Sequence, residues 1–385
     1  MRILIVTSDY PPRFGGMAEY SDAWAAGLAR RGFEVAVLTQ EPKTPFAGRT
    51  PAISARRFRT RGPAWSAPFR FYHPLLRACR EFRPHLILAH TWVGWGPALA
   101  YLKGRFHARY VLAAHGAEIL GPKRSPYYRF LMRLAFKGAD AVFPVSRFTA
   151  GLVREVGVAV PRIHVVGNGV DIERFVPGEP PPDLISRWGL EGKRVLLTVG
   201  GLVSRKGQDI VIRALATLKE DYPNLVYLIA GGWALRESFE PKLRTLVRKL
   251  ELEDRVIFTG YLEDRDLPRV YRLGEIFVLT GREVTERGWV EGFGISYLEA
   301  AASGLPIVAA RSGGTEDAVT EKNAIFVEPE NVEETAISIR KLLDDPKLRN
   351  RMSAEGRRWA EKCRWKNRID AAVEVLRRMG YEREE

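Results

Sequence analysis

The segment Glu291-Gly-Phe-Gly-Ile-Ser-Tyr-Leu-Glu299-Ala-Ala-Ala-Ser-Gly-Leu-Pro306 sets two carboxylates around a glycine-rich turn. Gly292 and Gly294 permit tight backbone turning, and Ile295–Ala302 reads as a helix ended by Gly304. The first N–H groups of such a helix point unpaired into the loop, which favours a phosphate there. Eight helical residues span about 12 Å. Glu291 just before the helix and Glu299 inside it can therefore bracket the diphosphate of an extended ligand. One carboxylate would accept from sugar hydroxyls, the other from a ribose diol. On spacing alone, two solvated or capping glutamates fit as well.

Other segments offer complementary chemistry. Thr198-Val-Gly-Gly-Leu-Val-Ser-Arg-Lys-Gly-Gln-Asp209 places Arg205 and Lys206 in a loop at a strand's end. Fixed positive charge there suits a leaving diphosphate, although surface Arg-Lys pairs are common. In Tyr10-Pro-Pro-Arg-Phe-Gly-Gly-Met17, the adjacent Gly15 and Gly16 let backbone approach a ligand and leave N–H groups exposed; the plain alternative is a turn. No Gly-x-Gly-x-x-Gly is present at that loop, so dinucleotide binding is not supported. His115 follows a strand, as does His90, and either a ligand contact or a structural role suits each. Asp264-Arg-Asp266 has the look of a metal-binding carboxylate pair, but just ahead of Leu267-Pro268 it reads better as a helix start.

These residues need elements to position them. Arg2–Thr7 is a short β-branched run, followed by a helical pattern from about Ala18 to Arg31, a stop at Gly32 and a strand at Val35–Leu38. Arg194–Val199 repeats the arrangement, with a helix from about Gln208 to Glu220 and a strand at Leu225–Ala230. Further strand-like runs are Leu86–Ala89, Tyr110–Ala113, Ala141–Pro144, Val256–Phe258, Ile276–Leu279 and Pro306–Ala309. Continuous apolar strands alternating with helices belong to parallel sheets covered on both faces. The expectation is an α/β, doubly wound fold repeated twice, with the Pro-rich Val176–Pro182 as linker. Ligands sit beyond the carboxyl ends of such strands, so two facing sheets would form one cleft.

The pattern Glu-Gly-Phe-Gly-Ile…Glu-Ala resembles the signature of the retaining family-four glycosyltransferases of the GT-B fold, also called glycosyl transferases group 1. The resemblance implies two Rossmann-like domains: residues 1–175 on the acceptor side, 176–364 for the nucleotide-sugar donor, and 365–385 as a helix returning to the first. It implies that Glu299 holds the donor ribose and Glu291 the donor sugar. Phe293, Gly294, Ile295 and Ser296 then lie at the diphosphate. Lys206 matches the lysine that grips the leaving phosphate. Gly201 stands where the family commonly places an arginine, which Arg205 could replace. Gly15 and Gly16 match the glycine-rich acceptor-side loop, His115 a histidine near the donor sugar, and Tyr261 the loop lining the base. Val166-Gly-Asn-Gly-Val-Asp171…Phe175 and Trp365 are architectural matches.

The implied reaction moves a sugar from a nucleotide-diphosphate sugar, UDP- or GDP-linked, to an acceptor hydroxyl with retention and without an essential metal or other cofactor. The acceptor is either lipid-linked or a small molecule. The alternatives are a catalytically silent nucleotide-sugar-binding protein or a phosphorylase of the same shape. The formal charge of +14 admits an anionic ligand, nucleic acid or an anionic membrane surface. No nucleic-acid recognition module is visible. Basic and aromatic residues interleave in Arg56–Gly62, Phe69–Tyr72 and Gly121–Arg133, as an anionic membrane would require, or as an ordinary solvated surface would show. No apolar run has membrane-spanning length, and Cys79 and Cys363 are the only cysteines. The expected location is cytoplasmic, with peripheral attachment at the inner membrane face.

Overall fold

The structure, a computed structural model, describes residues 1–13, 15–41, 50–59, 66–106, 109–121, 125–232, 239–284 and 288–381, with backbone alone at 67–69 and 104–106. The chain divides into two compact units: Met1–Asn168 with Trp365–Glu385, and Gly169–Arg364.

The first unit holds β1 (Arg2–Thr7), β2 (Glu34–Gln40), β3 (Ala55–Phe58), β4 (Leu86–Ala89), β5 (Arg109–Ala114) and β6 (Ala141–Pro144). They form a parallel sheet in the order β3-β2-β1-β4-β5-β6. Its helices are α1 (Gly16–Arg30), α2 (Ala67–Phe82), α3 (Trp95–Phe106), α4 (Ala117–Leu120), α5 (Pro126–Gly138) and α6 (Arg147–Val156). Leu4, Val6, Ile87, Leu112 and Val142 from the strands meet Leu75, Trp95, Phe136 and Val153 from the helices in one core. Apolar side chains on successive strand residues bury on both sheet faces, as a doubly covered parallel sheet demands.

The second unit repeats the plan. It contains β7 (Arg194–Val199), β8 (Leu225–Ala230), β9 (Val256–Phe258), β10 (Ile276–Leu279), β11 (Ile307–Ala310) and β12 (Ala324–Val327), all parallel, in the order β12-β11-β10-β7-β8-β9. The helices are α7 (Pro182–Trp188), α8 (Gln208–Leu218), α9 (Glu240–Lys249), α10 (Leu267–Tyr271), α11 (Ile295–Ala302), α12 (Thr315–Ala318), α13 (Val332–Asp344) and α14 (Pro346–Lys362). The chain then re-enters the first unit as α15 (Trp365–Arg378). There Ile369, Ala372, Val373 and Leu376 are buried, and Arg31 on α1's flank pairs with Asp370 at 2.6 Å.

Two expectations need correction. The division between units falls at Asn168, not at residue 175, because residues 169–175 are built into the second unit. Arg357 donates to the carbonyls of Ile172 and Phe175 at 3.0 and 2.8 Å, and the Phe175 ring stands edge-on to Tyr271. The Pro-rich stretch therefore lies inside the second unit. The edge strands β3 and β12 were not expected. Arg56-Arg57-Phe58, read as part of a surface patch, is strand: Phe58 packs edge-on against Phe71 and Trp95. Arg56 pairs with Glu81, and Arg59, just beyond the strand, with Glu41. Charge on an edge strand hides its β character from a periodicity reading while guarding the open edge. Residues 60–62 and 122–124 of the basic patches lie outside the described residues.

Candidate active site

In the second unit Arg205, Lys206 and Glu291 meet beyond the carboxyl ends of β7 and β10. After β7 the chain turns through a 3-10 turn at Ser204–Lys206, stopped by Gly207 at φ 70°. A Cβ at Gly207 would lie 1.9 Å from the carbonyl oxygen of Thr280, whose hydroxyl donates to the Gly207 carbonyl at 2.8 Å. Only glycine lets this turn press against the end of β10, and that contact carries Arg205 and Lys206 inward.

Both cations meet one carboxylate oxygen. Arg205 Nη1 and Lys206 Nζ each lie 2.6 Å from Glu291 Oε2. The Glu291 side chain is about 10% exposed, as is that of Lys206. Burial pushes the Glu291 carboxyl up, but Lys206 and then Arg205 more than offset it and leave it at about 2. Burial also pulls Lys206 below its ordinary value, against the opposing pull of Glu291. Glu291 is thus an ionised acceptor and not a proton donor at neutral pH. Its backbone is fixed from the loop after β11: Gly314 N–H donates to the Glu291 carbonyl at 2.9 Å, and at Gly313, φ 57°, a Cβ would come within 2.2 Å of that oxygen.

Gly294, at φ 89°, is the N-cap residue of α11. Ser296, in the helix's first turn, has a buried hydroxyl with no partner among the described residues. Phe293 is buried. Ile295 is half-buried, and Tyr261, after β9, is exposed. Glu299 lies within α11 and is buried; its Oε2 accepts from the Tyr271 hydroxyl at 2.5 Å. Burial first, then the Glu299 charge, pushes the Tyr271 phenol well above its usual range, so it stays a donor. Tyr271 was missed in the sequence, where nothing links it to a carboxylate 28 positions later. Asp266 directly precedes α10 and pairs with Arg269 and Arg187, while Asp264 pairs with Arg174 at 2.7 Å. The helix-start reading of that pair matches this arrangement.

In the first unit, Gly15 and Gly16 are exposed at the N-terminus of α1, and a Cβ at Gly15 would meet nothing within 4 Å. His115 follows β5. Its Nε2 is 3.0 Å from the carbonyl of His90, its ring stands edge-on to Tyr20, and burial lowers it to about 4. The ring is therefore neutral at physiological pH. Glu118 Oε1 accepts the His115 backbone N–H at 2.6 Å, which fixes the loop. His90 is fully buried, its Nδ1 2.9 Å from Ser21 Oγ, and is part of the interior.

Two family models cover most of the chain: Glycosyltransferase Family 4 over residues 14–174 and Glycosyl transferases group 1 over residues 183–359. A GDP-mannose-dependent alpha-(1-6)-phosphatidylinositol monomannoside mannosyltransferase of Mycolicibacterium smegmatis is 32% identical over 97% of this chain and 98% of its own length. The corresponding enzyme of Corynebacterium glutamicum for the monoacylated lipid is 29% identical over 94% and 93%. Among solved structures, sucrose-phosphate synthase from Thermosynechococcus elongatus superposes with a TM-score of 0.82 at 20% identity, covering 98% of this chain and 99% of that one. The chain belongs to the family-four glycosyltransferases of the GT-B fold. It is a retaining, nucleotide-sugar-dependent hexosyltransferase.

Proposed function

We propose that the enzyme transfers mannose from GDP-mannose to a hydroxyl of a phosphatidylinositol-type glycolipid. The acceptor would be met at the anionic inner face of the cytoplasmic membrane, with the enzyme attached peripherally. The donor and acceptor are those named for the Mycolicibacterium and Corynebacterium relatives, whose similarity extends across nearly the whole chain. No helix among the described residues is long and apolar enough to cross a membrane.

The observation that carries the mechanism is the pairing of Arg205 and Lys206 with Glu291, with the N-terminus of α11 following in the same loop. The donor's anomeric C1–O bond breaks as the acceptor oxygen bonds to C1 on the same face, and the departing phosphate oxygen takes the acceptor's proton. Arg205, Lys206, the α11 N–H groups and Ser296 Oγ stabilise the leaving diphosphate. Arg205 serves in place of the arginine that Gly201 lacks. Glu291, held ionised, accepts from sugar hydroxyls instead of attacking carbon. Glu299, oriented by Tyr271, receives the ribose diol, and Tyr261 lies at the base. By the family resemblance, Gly15, Gly16 and His115 are ligand-binding residues of the first unit. Fixed cations and helix N–H groups fill the role a divalent ion would take, so no metal is required.

A thermal-shift panel of GDP, UDP, ADP and their sugar conjugates, on wild type and Glu299→Ala, tests the donor site. Selective stabilisation by GDP and GDP-mannose, weakened in the variant, is expected, followed by EDTA-resistant mannosyl transfer to phosphatidylinositol mannoside in mixed micelles. Selective stabilisation by UDP would overturn the donor assignment, and loss of transfer in EDTA the metal assignment.

A further inference from the structure

We infer that α5 is the element that seats the enzyme on an anionic lipid surface, its exposed apolar stripe lying among the headgroups. The inference deepens the peripheral attachment proposed above and rests on that reading. Of the three basic and aromatic stretches, only this one shows a membrane-facing arrangement among the described residues. Phe58 and Phe71 are turned into the core, and Arg56 and Arg59 are occupied by carboxylates.

The helix is divided into three sectors. Met132, Ala135 and Phe136 are buried against the unit's core, where α3 packs so closely that a Cβ on Gly96 would fall 2.4 Å from that of Ala135. Tyr127, Phe130 and Leu134 are 41%, 64% and 44% exposed. At about 100° per residue these three fall within about 60° of arc. Arg129, Arg133 and Lys137, all exposed, occupy the next sector along one flank. A soluble surface has no reason to align three large apolar side chains opposite the anchored face of a helix.

The charge points to the occupant. Between Glu118 and Asp140 the chain carries five basic residues, Lys123, Arg124, Arg129, Arg133 and Lys137, and no acidic one. Elsewhere on this protein exposed arginines commonly sit against a carboxylate, as Arg311 does with Glu316 and Arg340 with Asp221. Among the described residues, Arg129 and Arg133 have no such partner. Apolar side chains bordered by unpaired cations match an anionic headgroup layer over acyl chains. Arg stems can cover apolar surface while their heads reach phosphates.

Flotation of the full chain on phosphatidylcholine vesicles, with and without phosphatidylglycerol, tests this. Wild type should float only with the anionic lipid. Phe130→Ser with Leu134→Ser should weaken partitioning at least about tenfold. Arg129→Glu with Arg133→Glu should weaken it by more than about 25-fold, since each basic residue near such a surface contributes roughly fivefold. GDP-induced thermal stabilisation should be unchanged in both variants, which reads folding and the donor site separately from docking. Failure of wild type to float, or equal flotation of either folded variant, overturns the inference. Loss of GDP stabilisation in wild type would overturn the donor assignment instead.

Discussion

Replacing Glu291 by Gln separates the two roles of its carboxylate. In the free protein Glu291 holds Arg205 and Lys206 together, and its carboxyl lies at about 2 instead of 4.5. Because the side chain is buried, that depression corresponds to about 3 kcal/mol of stability at neutral pH. A similar figure, about 3–5 kcal/mol, is typical of breaking a buried pair and leaving one side's charge uncompensated. Urea unfolding followed by tryptophan fluorescence should therefore place Glu291→Gln about 3 kcal/mol below wild type at pH 7. The folded-state value is depressed, so the gap is fully present above about pH 4.5. It closes as pH falls toward 2, to about 1.4 kcal/mol at pH 3. The same substitution frees both cations for phosphate. GDP alone should bind the variant as tightly as wild type or up to about tenfold more tightly, while sugar transfer falls by about 100-fold or more. A variant as stable as wild type at pH 7, or one binding GDP more than tenfold more weakly, would refute the argument that Glu291 competes with the diphosphate for Arg205 and Lys206.

Tyr271→Phe removes the buried donor to Glu299 and leaves the ring packing with Phe175 and Phe277. A hydrogen bond to a charged group is worth about 1.5–3 kcal/mol, so donor KM should rise roughly tenfold or more with kcat nearly unchanged; an equal fall in kcat would contradict a role confined to donor binding. Gly207→Ala drives a methyl into the Thr280 carbonyl and strains a positive φ. Nucleotide-induced thermal stabilisation should be lost even where circular dichroism shows the unit folded, and a retained shift would show that the Arg205–Lys206 turn tolerates displacement.

The parallel strands were legible because double burial makes them plain apolar runs: β4, β6, β7, β8, β9 and β10 match the expected residues end for end. Helix α11 matches as well, because Gly294 and Gly304 mark both its limits. The edge strands β3 and β12 were not legible, β3 being only partly buried and carrying Arg56 and Arg57 and β12 half-buried at Ile325 and Phe326, whereas β6 and β9, also at sheet edges, were. The unit boundary was misplaced because a proline cluster signals a rigid connection but not which side packs against what. Residue types in a glycine frame made Glu291, Glu299, Arg205 and Lys206 candidates, and only the family resemblance gave them roles, whereas the meeting of both cations at one carboxylate oxygen is a tertiary fact. Tyr271 shows the same limit, being an ordinary aromatic in a helix until the fold sets it beside Glu299.

The return of α15 has a consequence for how the protein is made. The first unit has its last helix encoded after the whole of the second. At about 5–20 residues per second, roughly ten to forty seconds of synthesis separate Asn168 from Trp365. Throughout that interval the face of α1 at Gly27, against which Ile369 later packs, emerges from the ribosome uncovered. The second unit is thus complete before the first gains its last helix, and a nascent chain stalled near Arg364 would present an apolar face for chaperones to hold.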